Sequence, residues 1–111
     1  MSKFYLTTPL YYVNDKPHIG HAYTTILADV LARFYRSMEY DVFFLTGTDE
    51  HGQKIQRAAK DNKMDPLDFC NKISQTFKDL CKILNLSNTD FIRTTENRHK
   101  ISVQHLWKEL E

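Results

Sequence analysis

A chain of 111 residues with 15 basic and 14 acidic side chains, net charge +1, is long enough for one small core. That balance demands no nucleic acid, membrane or acidic partner, and 41% hydrophobic with 26% charged residues is ordinary for a globular protein. No run reaches the roughly 18 apolar residues of a membrane span, and none has a signal-peptide core, so a cytoplasmic chain with no membrane contact is the expectation.

Residues 3–8, KFYLTT, form a β-prone run that stops at Pro9, and VNDKP at 13–17 supplies the Asn, Asp and Pro of a loop. From His18 to about Met38 the apolar residues Ile19, Tyr23, Ile26, Leu27, Val30, Leu31, Phe34 and Met38 follow steps of three and four. That is one face of an amphipathic helix, expected to turn inward. DVFFLT at 41–46 has the length and continuity of a parallel strand buried on both faces.

GTDEHGQ then leads into a short helix, KIQRAAKDN, with Lys54, Arg57 and Lys60 on its solvated side. At DPLDF, Asp65 suits a cap and Pro66 a first helical residue; Leu67, Cys70, Ile73, Phe77, Leu80 and Leu84 continue a buried stripe. Cys70 and Cys81 lie about 16 Å apart along that helix, too far for a disulfide, and read as reduced, inert thiols. TDFIRTT at 89–95 is a third strand, and the helix after it carries His99, His105 and Trp107, the last expected in the core. There is no repeat, linker or low-complexity tract.

The order β, α, β, α, α, β, α predicts an α/β fold with a parallel sheet and helices on its faces. The C-terminal strand ends then share one rim, where such sheets hold their ligands. His18, Gly20 and His21 fall at the N-terminus of the helix entering that rim, a setting suited to phosphate. Imidazole N–H groups can donate to phosphate oxygens, and Gly20, lacking a Cβ, lets a flat base or ribose lie against the backbone. A capping histidine beside a surface histidine would explain the same letters. Tyr11 reads best as a core aromatic, Glu50 as an acid favoured at a helix start, and Tyr12 and Asp49 as rim residues.

HIGH at 18–21, behind a strand and opening a helix, resembles the signature of class I aminoacyl-tRNA synthetases. YLTTPLYYVNDKPHIGHAYTTILADVLARF, DVFFLTGTDEHGQKIQRAA and DFIRTTENRHK together resemble the methionyl-tRNA synthetase family over essentially all 111 residues. The resemblance implies the first half of a Rossmann-like nucleotide-binding fold, residues 1–111 forming the N-terminal part of the catalytic domain and ending near the connective insertion. It implies ATP-dependent activation of L-methionine and transfer to tRNA, with Mg²⁺ on the ATP phosphates. His18 and His21 would act on those phosphates as catalytic groups, Gly20 and Tyr12 would join them in ATP binding, and Pro9, Leu10, Tyr12 and Asp49 would bind methionine.

The signature region would run through Tyr12, Val13, Asn14, Asp15, Lys16, Pro17, His18, Ile19, Gly20, His21 and Ala22. The family's second signature, a Lys-Met-Ser-Lys-Ser-like loop, is absent, NKMDP at 62–66 being no substitute, and no Cys-x-x-Cys knuckle suggests zinc or any other bound metal. The 111 residues are therefore expected to be inactive alone and, with an open sheet edge, to self-associate or unfold easily. Another class I synthetase or nucleotidyltransferase, or a non-catalytic binding fragment, remains the alternative.

Overall fold

The computed structural model describes residues 1–111. In chain order its elements are β1 (Lys3–Thr7), β2 (Tyr11–Tyr12), α1 (Ile19–Ser37), β3 (Asp41–Asp49), α2 (Gln53–Asp61), α3 (Pro66–Ile83), β4 (Asp90–Arg93) and α4 (Asn97–Leu110). The expected order holds, with β2 added as a two-residue strand. Residues Thr8–Leu10 form the break between β1 and β2. That break is pinned where Thr8 Oγ1 meets Thr46 Oγ1 at 2.7 Å and Thr8 N donates to Leu45 O at 3.1 Å.

All pairing is parallel and centres on β3. Leu45 has both Thr7 and Asp90 as partners, and Thr48 both Tyr11 and Arg93. β1 and β2 therefore run along one side of β3, and β4 along the other. Two right-handed crossovers that carry the chain in one direction across a sheet set their helices on the same face. Here α1 packs on Phe4, Leu6, Val42 and Phe44 through Ala28 and Ala32. Beside it, α2 and α3 enclose Val13, Ile55, Ala59, Phe69, Cys70, Ile73 and Phe77.

Two expectations are corrected by this one-sided layering. β3 alternates between covered and open side chains over its first half, so Phe43 stays 42% exposed while Phe44 is buried. It is not a strand buried on both faces. In α1 the buried residues are Thr25, Ala28, Asp29 and Ala32, and Ile19, Tyr23, Ile26, Leu27, Val30, Leu31, Phe34 and Met38 are all exposed. Small side chains allow close approach of helix to sheet, so the large apolar stripe turns outward. Asp29 ties α1 to the connection ahead of β4, accepting from Ser87 N at 2.7 Å, and is held in place by Arg33 Nε of its own helix at 2.8 Å.

α3 starts as expected, with Asp65 accepting from Leu67 N at 3.1 Å and Pro66 in the first turn. Its stripe is buried at Cys70, Ile73 and Phe77, but Leu67 is exposed. α1, α2 and α3 each end before a left-handed residue, Glu39, Lys63 and Asn85. These take the place glycine usually holds beyond a helix. α4 buries none of its residues, and Trp107 is 71% exposed, so the expected core role for Trp107 is wrong. Arg98 ties the start of that helix back to Asp90 and Glu96.

Candidate nucleotide and amino-acid site

At the C-terminal rim the ends of β2, β3 and β4 meet the start of α1. The helix is capped in an unusual way. His18 sits in extended backbone as N-cap, and its Nδ1 accepts from Gly20 N at 3.0 Å. His21 Nδ1 in turn accepts from His18 N at 3.0 Å. This is a reciprocal capping box built from two imidazoles in place of the usual hydroxyl and carboxylate or carboxamide.

Two chemical consequences follow from the box. With Nδ1 accepting in both rings, each neutral imidazole carries its proton on Nε2 and can donate outward. The N–H groups of Gly20 and His21 are already taken, the latter by His18 O at 3.0 Å. With those two amides occupied, the helix start turns outward the imidazole Nε2–H groups that the sequence reading named as donors, and fewer of the free backbone N–H groups that it also expected.

The two rings stack at 3.9 Å between centroids, and His21 stands edge-on to Tyr11 and Phe77. Burial first, and then the neighbouring His18, lower the pKa of His21 below its ordinary 6.5, favouring the neutral donor. Tyr11 supports the arrangement from below, its hydroxyl 2.8 Å from Thr25 Oγ1 and its ring stacked on Phe77. Gly20 has a local reason to lack a side chain, since a Cβ there would lie 2.8 Å from His18 Cε1 and 3.0 Å from its Nδ1.

In front of this pair opens a cleft of about 660 Å³, lined by Leu10, Tyr11, Tyr12, Asn14, Asp15, Lys16, Pro17, His18 and His21. Most of the signature stretch thus gathers around one space. Val13 does not join it, being fully buried in the core, and Ile19 and Ala22 line the neighbouring groove against α3. Pro9 is exposed and shapes the turn without lining the cleft. Tyr12, 52% exposed, is the register partner of Asp49, so the two stand side by side at the end of β2 and β3. Asp49 lies at the cleft's margin and is not among its lining residues; its Oδ1 accepts only a long bond, 3.4 Å, from His51 N.

Sequence reasoning missed the group just behind. Glu50 is not a first-turn acid of α2, which has none. It is buried and takes a two-pronged contact from Arg93, a residue within DFIRTTENRHK to which the sequence reading gave no role. The signal lay in strand alternation: Thr46, Thr48 and Glu50 share the helix-covered face of β3, where a charge needs a partner. Cys70 lies against this group, its thiol pushed up to about 11 by burial and then by Glu50, and is protonated at neutral pH. Cys81 is likewise raised by burial, and both thiols are free. No three His, Cys, Asp or Glu side chains converge as a metal site, and no helix is long and apolar enough to cross a membrane.

Residues 4–111 match the family model for tRNA synthetases class I (M). The chain is 60% identical over 107 residues to the methionine–tRNA ligase of Rickettsia prowazekii, covering 96% of this chain and 21% of that one. The corresponding figures for the Thermotoga maritima methionine–tRNA ligase are 59% over 102 residues, 92% and 16%. Among solved structures, Mycobacterium tuberculosis methionyl-tRNA synthetase bound by methionyl-adenylate superposes with a TM-score of 0.94 at 42% identity, covering 96% of this chain and 21% of that one. The chain thus spans about a fifth of the length of the relatives it matches.

Proposed function

The chain belongs to the tRNA synthetases class I (M) family, and from that premise we propose that residues 1–111 are the N-terminal part of the catalytic nucleotide-binding domain of a methionine–tRNA ligase. In that reaction a carboxylate oxygen of L-methionine attacks the α-phosphorus of ATP, which enters as its Mg²⁺ complex, and the bond to the bridging oxygen breaks to release pyrophosphate. The adenylate then passes its acyl group to a ribose hydroxyl of tRNA, releasing AMP. No protein nucleophile takes part, so positioning and charge stabilisation carry the rate. A cytoplasmic location goes with this reading, since its partner is tRNA.

The observation that carries the proposal is the imidazole capping box at the sheet rim. It holds two Nε2–H donors for phosphate oxygens that gain charge as the new bond forms, while Gly20 leaves room for the nucleoside. Tyr12 closes the cleft beside them, and Leu10 and Asp49 take the methionine end, the Asp49 carboxylate meeting the α-ammonium. The Rickettsia relative supplies a test. These 111 residues, joined to the remainder of that ligase in place of its own matched segment, should support methionine-dependent exchange of pyrophosphate into ATP.

In that chimaera His21→Ala should lower kcat for exchange about a hundredfold, near 3 kcal/mol for one lost donor, and leave KM for methionine unchanged. An equal loss in methionine binding would count against a phosphate role. The 111 residues alone should show no exchange, and their uncovered apolar surface should make them self-associate.

A further inference from the structure

The Glu50–Arg93 pair is more completely tied down than anything else at the rim. Glu50 Oε2 accepts from Thr48 Oγ1 at 2.6 Å and from Arg93 Nε at 2.7 Å; Oε1 accepts from Arg93 Nη2 at 2.7 Å and Thr95 Oγ1 at 3.0 Å. Its own N–H donates to Thr94 Oγ1 at 2.8 Å. Arg93 Nη2 reaches on to Asn71 of α3 at 2.6 Å. The Glu50 side chain is 0% exposed and that of Arg93 17%.

A buried ion pair adds little net stability over a well-packed apolar pair, so its value has to be sought elsewhere. What a forked guanidinium–carboxylate contact does supply is fixed geometry. The geometry fixed here is the strand end between Thr48 and His51, which the segment at Thr94 also holds through Thr94 N to Thr48 O at 3.2 Å, Glu50 N to Thr94 Oγ1 at 2.8 Å and the His51 ring at Thr94 O, 3.2 Å, none of which fixes a side-chain plane as the fork does. Asp49 lies inside that clamp, its side chain on the opposite face beside Tyr12 with only the long contact from His51 N.

We propose that Glu50 and Arg93 are positioning residues for amino-acid recognition: the fork on the covered face of β3 sets where the Asp49 carboxylate stands on the open face. This rests on the reading that Asp49 meets the α-ammonium of the substrate. The pair touches neither substrate, so its removal acts on one ligand only and through Asp49.

The chimaera described above tests this through exchange kinetics with methionine and ATP varied in turn. Arg93→Lys keeps the charge and loses the fork; it should raise KM for methionine at least tenfold with KM for ATP within twofold. The double variant Glu50→Leu/Arg93→Met removes the buried charges together, so it should stay folded, with a Tm near the parent's, and still show the raised methionine KM. Asp49→Asn is the reference. If Asp49→Asn raises KM for methionine while the double variant leaves it at the parental value, the pair is only structural and the proposal is overturned. If Asp49→Asn itself leaves KM unchanged, the amino-acid reading of Asp49 fails, and the positioning role falls with it.

Discussion

At the scale of single residues, the proposed function gives the signature two jobs with one set of atoms. Nδ1 of each imidazole caps the helix and leaves Nε2 for the phosphate contact proposed, so protonation at Nδ1 would turn a cap acceptor into a donor. His21 has a folded pKa below 6.5, so the unfolded chain binds its proton more readily. Its contribution to stability is complete above pH 6.5 and falls as the pH drops below that value. A titration followed by NMR should place the His21 midpoint below that of a free imidazole, with amide protection in the first turn of α1 fading over the same range; a midpoint above 6.5 would contradict the box. Gly20→Ala should push the His18 ring out of place and lower exchange activity, an effect that the sequence suggested only for the nucleoside side. The letters of HIGH were legible as a phosphate motif at a helix start. A capping histidine was legible as the alternative, but the reciprocal box was not, because histidine is not among the residues that ordinarily cap helices and His21 read as a surface residue beside it.

The elements were legible where one local rule decided them and illegible where packing chose between two faces. Asp65 and Pro66 announced α3, and the break at Pro9 marked the end of β1. Periodicity found α1 but turned it the wrong way, since the pattern counts large apolar side chains whereas the sheet accepts Thr25, Ala28 and Ala32. Gly47 shows the same limit. On β3 opposite Ile92 it reads as a loop glycine, yet a Cβ there would fall 1.9 Å from Ile92 O. Gly47→Ala should force β3 and β4 apart and cost about 1–3 kcal/mol, seen as a lowered midpoint in denaturant. Burial alone would raise the pKa of Glu50, but the hydrogen bonds from Arg93 and Thr48 carry it below its usual 4.5. Its stabilisation is therefore present above that value and lost as the pH falls through the lower folded pKa.

For the molecule as a whole, the decisive fact is that all three packed helices lie on one face of the sheet. The result is a slab, 48 × 40 × 17 Å along its principal axes, with Tyr5 and Phe43 open on one side and the apolar stripe of α1 open on the other. Exposed apolar area of this extent favours association, at about 25 cal/mol for each Å² removed from water. Leu27 and Val30, 53% and 56% exposed, belong to that stripe but not to the core beneath it. Leu27→Glu and Val30→Lys together should therefore reduce association while leaving the helix content and packing against β3 intact. Sedimentation of the 111-residue chain across a range of concentrations would measure this. A parent that stays strictly monomeric and unfolds in one sharp transition would show that the open faces are tolerated. Association that persists unchanged in the double variant would move the contact from α1 to the sheet face at Tyr5 and Phe43, or to the unpaired edge of β1.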